Sequence, residues 1–367
     1  MRTQTYDKFW QRLHKLAREK SFPLRVMFEL TYRCNFYCKH CYIPIGYRRY
    51  GQLETKEVFG ILDQLADIGC FYLGFTGGEP FMRRDILDIL AYAKKKGFEI
   101  IIYTNGSLIN EQIVKELKRL RPNKIDITIP GMSAEVFDYI TGVRGSRDRV
   151  FGNIELLHSQ GIHLDFKTCV LKQNEKEIEQ IQEFSASLGA LHRLDTMLLR
   201  RLDGSDEPYR YRGTITEKAN MFNDKPKIIR DEKDICEIEE KISNSAKLTL
   251  FRCGVGVSQV AITPQGELKL CLMINEPKYK IALPKASYLR TKKTNKQKAL
   301  SLKQAWLKLK EFVNCIEPDK NYRCNICKLQ PYCKWCPAKS WLMNRSFTSC
   351  DPESRAWAEQ TKLLIAS

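Results

Sequence analysis

The chain has no uninterrupted apolar segment of the roughly 20 residues that a membrane-spanning helix needs. Its first twenty residues, MRTQTYDKFWQRLHKLAREK, are charged and amphipathic, and they lack the apolar core of a secretory signal. Because both features are missing, the sequence predicts neither a membrane protein nor a secreted one. We expect a cytoplasmic protein.

Acidic residues are scarce relative to basic ones. The chain has 43 Asp and Glu against 61 Lys and Arg, a formal net charge of +18. Eleven basic residues accompany a single acid in the segment from Glu276 to Lys310: Lys278, Lys280, Lys285, Arg290, Lys292, Lys293, Lys296, Lys298, Lys303, Lys308 and Lys310. Aromatic residues are sparse there and no RNA- or DNA-reading motif accompanies the run, so nucleic acid is disfavoured as a partner. A solvated insertion, or a surface that attracts an acidic peptide such as a substrate leader, is favoured.

Cysteine, in contrast, is plentiful, with 14 residues in a chain of 367. In a chain without a secretory signal, this number favours metal clusters over disulfides. Hydrophobic residues make up 43% of the sequence, which is enough for the core of one large domain plus a smaller one.

Three of the cysteines, Cys34, Cys38 and Cys41, form a C-x3-C-x2-C motif within ELTYRCNFYCKHCY. Given this cysteine content, such a spacing should arise by chance only about 0.02 times. Three thiolates on one loop can hold three irons of a 4Fe–4S cluster and leave the fourth iron open to another molecule. A zinc site or a disulfide loop is the alternative, but zinc sites favour two matched C-x2–4-C pairs.

The first two hundred residues alternate between apolar, strand-like segments and amphipathic helical segments. The predicted strands are Arg25–Thr31, Phe71–Thr76, Phe98–Thr104, Lys124–Ile129, Ile162–Leu171 and Leu191–Leu199. The predicted helices are Thr55–Ile68, Arg83–Lys96, Asn110–Arg121, Ala134–Thr141, Asp148–Gln160 and Glu175–Leu188. Such alternation predicts a parallel α/β sheet with right-handed crossovers, and six units fall short of the eight of a complete barrel.

The cysteine loop resembles that of the radical SAM enzymes, with Tyr37 just before the second cysteine and Tyr42 just after the third. The resemblance implies a partial (β/α)6 TIM-type barrel that binds S-adenosylmethionine (SAM) at the open iron, with Tyr42 beside the cofactor. One electron would then cleave SAM to methionine and a 5′-deoxyadenosyl radical, so the cofactor carries the difficult chemistry. It also implies a low-potential electron donor such as flavodoxin or ferredoxin.

Further motifs follow the later strands of the predicted barrel. In TGGEP, Gly77 and Gly78 let the backbone approach a ligand, and Glu79 can accept a hydrogen bond from an amine. These three residues resemble the family's SAM-binding motif. The resemblance also places Asn105, in a Thr-Asn-Gly sequence that is a common turn, near the ribose. Thr128 lies in the corresponding position after the fourth strand, where many family members have other residues.

The segment DFKTCV has period-two alternation that places Asp165, Lys167 and Cys169 on one face. If that face points into the barrel, Lys167 reaches the SAM carboxylate and Cys169 lies near the radical as a candidate hydrogen donor. A partly exposed lysine beside a small buried cysteine is the alternative interpretation.

The C-terminal third contains seven further metal-ligand candidates: Cys253, Cys271, Cys324, Cys327, Cys333, Cys336 and Cys350. Their spacing resembles the SPASM domain, an extension of radical SAM enzymes with two auxiliary 4Fe–4S clusters, although the final C-x2-C is one residue shorter than usual. The resemblance implies that Cys324, Cys327, Cys333 and Cys350 hold one cluster. Cys253, Cys271 and Cys336 would hold the other, with the fourth ligand missing or supplied from elsewhere. A zinc ribbon is the alternative.

We therefore predict an N-terminal amphipathic helix (1–22), a radical SAM partial barrel (23–205), a linker (206–252) and a SPASM domain (253–367) with a basic insertion (275–310). The remaining cysteines, Cys70, Cys169, Cys236 and Cys315, are expected to be mostly buried thiols, with Cys315 a candidate fourth ligand.

The leading functional hypothesis is an oxidoreductase that modifies a peptide or protein by crosslinking, epimerisation or side-chain oxidation. One alternative acts on a small molecule such as a tetrapyrrole or cofactor precursor. Another, from a different class, is a nonenzymatic metal-cluster protein that binds nucleic acid through its basic segment. Release of methionine and 5′-deoxyadenosine distinguishes the enzymes from the binding protein.

Overall fold

A computed structural model describes residues 6–213, 250–251, 253–283, 299–318, 322–333 and 335–366. Most of the predicted linker, the middle of the basic insertion and Cys236 lie outside the described residues.

Six strands and seven helices alternate in the first half of the chain, as the sequence predicts. The strands are β1 (Arg25–Thr31), β2 (Tyr72–Gly77), β3 (Glu99–Thr104), β4 (Lys124–Thr128), β5 (Leu164–Cys169) and β6 (Leu191–Asp195). The helices are α1 (Tyr6–Glu19), α2 (Thr55–Asp67), α3 (Ile86–Lys95), α4 (Glu111–Leu120), α5 (Ala134–Thr141), α6 (Ser146–Ser159) and α7 (Ile178–Ser187).

Most of these elements differ from their predicted bounds by one or two residues, and three differ by more. α7 begins at Ile178 and not at Glu175, because a 3-10 turn occupies Glu175–Glu177. β6 stops at Asp195, whose carbonyl accepts a hydrogen bond from Val170, and not at Leu199. α3 begins at Ile86 and not at Arg83, because the Arg83 guanidinium is held by Asp85 and by backbone carbonyls. The bounds of β1 and α5 match the prediction.

The strands form one open sheet in which β1 to β6 are parallel neighbours in chain order. Apolar residues of the strands and of the helices that cover them form a continuous buried core. Parallel order places the C-terminal ends of all six strands at one edge of the sheet, where loops meet. In the part of the chain that the structure describes, the first and last strands of this sheet do not pair with each other, so the predicted unclosed partial barrel is confirmed.

Three further strands, which the sequence does not predict, extend the sheet beyond β1. They are β7 (Gln259–Ile262), β8 (Glu267–Cys271) and β9 (Ile274–Lys280); β7 lies parallel to β1, and the others follow as antiparallel neighbours. Gly266 makes the β7–β8 turn with a φ of 75°, a conformation that favours glycine. The sheet therefore continues across the predicted domain boundary at residue 253.

Three helices complete the described C-terminal part: α8 (Leu302–Asn314), α9 (Pro337–Asn344) and α10 (Pro352–Ala366). α8 packs against the barrel. There the indole N–H of Trp306 donates a hydrogen bond to the backbone carbonyl of Ser21 at 2.7 Å. Among the described residues, none of the helices has the length and apolar character that a membrane crossing requires.

Candidate active site

A cavity of about 450 Å³ opens at the C-terminal ends of the barrel strands. The structure brings nearly all of the predicted barrel-site residues to its wall: Cys34, Cys38, Cys41, Tyr42, Gly77, Gly78, Asn105, Thr128, Lys167 and Cys169. Glu79 is the exception, since its side chain is fully buried below the surface. The six strands thus gather residues that are more than a hundred positions apart in sequence.

The cysteine loop is fixed to the end of α5 by backbone hydrogen bonds. The amide of Tyr37 donates to Thr141 at 2.7 Å, and the amide of Lys39 donates to Ile140 at 2.9 Å. Gly142 ends α5 with a φ of 69°, and a Cβ there would lie 3.0 Å from Cβ of Tyr37. This close approach holds the three cysteines against the cavity.

The three cysteines of the loop are half-buried, and the loss of solvent around their thiols is the largest influence on their pKa values. It raises the pKa of Cys34 to about 11 and also raises the pKa values of Cys38 and Cys41, while the Arg48 guanidinium acts in the opposite direction on all three. Without a metal the thiols are therefore protonated near neutral pH. Cluster assembly on this loop must release their protons.

Arg48, which the sequence motifs did not single out, also lines the cavity. Its guanidinium donates to the carbonyl of Cys34 at 2.8 Å and to that of Phe36, and it lies 4.4 Å from the ring centre of Tyr37. One side chain therefore contacts the loop at three successive points. No local sequence pattern marks this role, because Arg48 follows the motif in a separate 3-10 turn.

The two glycines after β2 have no room for side chains. A Cβ on Gly77 would lie 2.2 Å from the carbonyl oxygen of Thr31, and one on Gly78 would lie 2.3 Å from that of Arg33. Gly77 also has a φ of 136°, which side-chain-bearing residues rarely adopt. The main chain here forms the cavity wall itself, which suits a ligand that needs backbone partners.

Glu79 supports this wall from beneath. Its carboxylate accepts hydrogen bonds from the Thr104 hydroxyl at 2.7 Å and from the backbone amides of Asn105 at 2.7 Å and Phe81 at 3.1 Å. Burial raises the pKa of Glu79 to about 7, against the effect of these donors. The structure thus makes Glu79 a support for Asn105, whose side chain in turn donates to Asn35 at 2.9 Å.

Charged residues from β4, β5 and β6 line the opposite wall. Lys167 pairs with Asp195 at 3.2 Å, and Arg193 pairs with the buried Asp126. Burial lowers the pKa of Lys167, but Asp195, Cys169 and Asp126 together raise it by more. His40 lies in the same wall, where burial and the nearby lysine lower its pKa to about 4, so its imidazole is neutral.

These residues fit a 4Fe–4S cluster together with SAM. Three thiols on one loop face one cavity, and close by lie an exposed stretch of main chain, an amide side chain and a lysine. Among the described residues, no three His, Cys, Asp or Glu side chains form a group that could hold a single metal ion.

Residues 28–185 match the family model of the Radical SAM superfamily. This part of the chain is a radical SAM domain. Enzymes of this superfamily use a 4Fe–4S cluster and SAM, as the cysteine loop predicts.

Individual relatives agree with this assignment. The chain is 32% identical over 193 residues to an AdoMet-dependent heme synthase of Methanosarcina barkeri, which covers 50% of the chain and 54% of the relative. It is 28% identical over 261 residues to the subtilosin biosynthesis protein AlbA of Bacillus subtilis, which covers 70% of the chain and 56% of AlbA. The matched region is thus about half of the length of these curated relatives.

Among solved structures, SuiB of Streptococcus suis bound to its precursor peptide SuiA superposes with a TM-score of 0.67 at 16% sequence identity. The match covers 97% of the chain and 82% of SuiB. At this identity the likeness shows a shared fold, and it extends beyond the radical SAM domain into the C-terminal third.

The C-terminal cysteines gather around a second cavity, of about 630 Å³. It is lined by Cys253, Cys324, Cys327, Cys333, Cys336 and Cys350. Cys271 lies at the end of β8, immediately before Leu272 and Met273, which line the first cavity. The turn after Cys271 is therefore the point where the cysteine-rich region reaches the radical SAM site.

These cysteines fall into two groups according to which thiols lie close enough to affect each other's pKa. Burial raises the pKa of Cys271 to about 12 with a further contribution from Cys336, whose own pKa is raised by burial and by Cys253. Burial likewise raises the pKa of Cys333 to about 11, with contributions from Cys324 and Cys350.

Of the other cysteines, Cys70 is buried and its thiol lies 3.7 Å from the carbonyl of Leu24. Cys315 is exposed just after α8 and is not among the residues that line the second cavity. Its candidacy as a fourth ligand stays a prediction.

Proposed function

We propose that the protein is a radical SAM enzyme that cleaves SAM reductively and modifies a peptide or protein substrate. Reductive cleavage of SAM is supported by one observation. The three-cysteine loop, the Gly77–Gly78 backbone, Asn105 and Lys167 all line the same cavity. When bound, a reduced 4Fe–4S cluster and SAM supply a 5′-deoxyadenosyl radical that removes a hydrogen atom from the substrate.

The residues of the chain bind the cluster and SAM, orient them and shield them from solvent. Cys34, Cys38 and Cys41 hold the cluster, and the main chain at Gly77 and Gly78 contacts the methionine part of SAM. Lys167 is the partner for a carboxylate, held in place by Asp195 at 3.2 Å. Tyr42, Asn105 and Thr128 complete the wall of the site, and Cys169 is the candidate hydrogen donor.

In the C-terminal region we propose two auxiliary clusters. Cys324, Cys327, Cys333 and Cys350 hold one, while Cys253, Cys271 and Cys336 hold the other. The grouping of their thiols supports this division. We keep the predicted boundaries at residues 23, 206 and 253 as functional divisions, although β7–β9 share the sheet of the barrel.

A peptide substrate is supported by the extent of the similarities. The match to AlbA spans 261 residues, against 193 for the heme synthase, and so extends further along the chain. The size of the cavity points the same way. About 450 Å³ lies toward the small end of the 300–1,000 Å³ of ordinary ligand sites, and a nucleoside cofactor takes much of it. The remaining room suits one side chain of a larger substrate.

The heme synthase and an Fe-coproporphyrin III synthase of Methanosarcina barkeri, each 32% identical to the chain, favour a second candidate. In that case the substrate is an iron tetrapyrrole. Binding to nucleic acid has less support: Lys278 pairs with Glu267, Lys280 donates to the carbonyl of Gln265, and Lys310 donates to the Ser21 hydroxyl. These described residues of the basic segment thus have structural partners.

An anaerobic assay separates the candidates. The reconstituted protein is mixed with SAM, dithionite and either each short peptide that a reading frame next to the gene is found to encode or an iron coproporphyrin. SAM-dependent mass change of the peptide, with unchanged porphyrin absorbance, supports the proposal. If only the porphyrin is converted, the peptide proposal is wrong and the second candidate function takes its place. If SAM is not cleaved with either substrate, both candidate functions are rejected.

A further inference from the structure

We propose that Arg48 is a positioning residue for the cysteine loop and that its permanent charge helps to set the reduction potential of the cluster held there. The inference rests on the proposed function, because it requires a cluster on this loop. Arg48 lies outside the C-x3-C-x2-C motif and was assigned no role by the sequence.

The hydrogen bonds of Arg48 hold the first half of the loop. Cys34 and Phe36 direct their carbonyls toward one guanidinium, and this planar group with its several donors can satisfy both at once. Tyr37 packs against the same group with a distance of 4.4 Å to its ring centre. Arg48 therefore fixes the backbone between the first two cysteines.

Arg48 is itself held by its neighbours. It belongs to a 3-10 turn, Ile45–Arg49, that follows Pro44. Within that turn Tyr47 stacks on Tyr50 at 4.6 Å and packs against Tyr32 at 5.6 Å, where β1 has just ended. Because these aromatic contacts fix the turn, the guanidinium is presented to the loop without rearrangement.

The charge of Arg48 has a predictable effect. An arginine remains protonated at all physiological pH values, so its charge is constant. Reduction adds one electron to a cluster, and a nearby positive charge in a partly buried site stabilises the more negative state. Arg48 lines the same cavity as the three cysteines, so removing its charge should make the cluster harder to reduce.

Three variants test the inference in the holoenzyme. Arg48→Met removes the charge and the hydrogen bonds, whereas Arg48→Lys keeps the charge but loses the planar fork. Arg49→Met is the matched control, since Arg49 is an exposed residue of the same turn. The readouts are a redox titration followed by EPR on the signal that changes when SAM is added, and hydrogen exchange of the Tyr37 and Lys39 amides.

In Arg48→Met we expect the ratio of reduced to oxidised cluster at a fixed potential to fall about tenfold, which is about 59 mV for a one-electron couple. Arg48→Lys should recover most of that shift, yet its loop amides should exchange faster than those of the wild type. Arg49→Met should change neither quantity. If Arg48→Met does not retain the cluster, the lysine variant alone decides between these results.

The inference is overturned if Arg48→Met has the reduction potential of the wild type. It is also overturned if Arg48→Lys matches the wild type in both reduction potential and amide exchange. Either result leaves the proposed function intact. An equal shift in Arg49→Met overturns it too, because the effect is then one of overall charge. Absence of any SAM-sensitive signal in the iron-loaded wild type instead rejects the proposed function, and this inference falls with it.

Discussion

Lys269 and Glu29 form an ion pair at 3.2 Å in which both side chains are fully buried. Glu29 also accepts hydrogen bonds from the Tyr42 hydroxyl at 3.0 Å and the Tyr32 hydroxyl at 3.3 Å, and Lys269 donates to the carbonyl of Leu272 at 3.0 Å. The pair thus connects the end of the cysteine loop with the turn that follows Cys271.

The first prediction is that Lys269→Met costs about 3–5 kcal/mol in the free energy of unfolding, because it leaves the Glu29 carboxylate buried without its partner. Urea unfolding of the metal-free protein, followed by circular dichroism, measures this. Adding Glu29→Gln to Lys269→Met should recover part of the loss. The control Lys278→Met removes a partly exposed pair with Glu267 at the surface and should cost less than about 1 kcal/mol. Equal costs for Lys269→Met and Lys278→Met would contradict the role of the buried pair.

Such long-range pairs mark the limit of what the sequence reveals. Glu29 lies in a strand that periodicity predicts to the residue, but nothing local indicates that its partner is Lys269, 240 positions later. β8, which carries Lys269, is only five residues long, and its alternation in ELKLC predicts a lysine on the solvent face, whereas Lys269 is buried. The role of Arg48 cannot be predicted locally for a related reason, since its partners are backbone carbonyls of an irregular loop.

The barrel and most of its site were predictable because chemistry and backbone geometry act locally there. Cysteine spacing, the two glycines and the alternation that places Lys167 and Cys169 on one face are all properties of short segments. Glu79 is a residue for which local patterns are not sufficient. The TGGEP motif identifies it, but its burial beneath Asn105 depends on how β2 and β3 pack.

The second prediction concerns Glu79→Gln. The substituted amide places an NH2 group opposite the backbone N–H of Asn105, so one buried donor loses its acceptor, at a cost of about 1–3 kcal/mol. We expect SAM to bind roughly tenfold more weakly, which corresponds to about 1.4 kcal/mol. Equilibrium dialysis with the iron-loaded protein measures the affinity, with Glu135→Gln on the exposed face of α5 as the control. An unchanged affinity in Glu79→Gln would mean that Asn105 does not contact the cofactor.

The third prediction is a pH dependence that also arises from Glu79. Its pKa is raised from 4.5 to about 7 in the folded protein, so between these values the folded state binds more protons than the unfolded state. The contribution to stability is then fully present below pH 4.5 and is lost as the pH rises through about 7. Unfolding of the metal-free wild type and Glu79→Gln across this range should show the wild type losing stability relative to the variant. A pH-independent difference would refute the shift.

The fourth prediction is the metal content. One cluster on the barrel loop and two in the C-terminal region imply roughly twelve irons per chain. Iron and sulfide analysis after anaerobic reconstitution measures this number, and Cys324→Ala with Cys327→Ala should lower it by about four. A measured content of four irons together with stoichiometric zinc would show that the C-terminal region holds a zinc ribbon and no auxiliary clusters. That result would leave the barrel cluster in place.

The central claim is tested most directly by the products that the protein forms from SAM under anaerobic reducing conditions. The iron-loaded wild type should release 5′-deoxyadenosine and methionine, and the triple variant Cys34→Ala, Cys38→Ala, Cys41→Ala should release neither while it keeps the iron of its C-terminal clusters. Release of 5′-deoxyadenosine by the triple variant, or none by a fully loaded wild type supplied with reductant, would contradict the assignment of this loop.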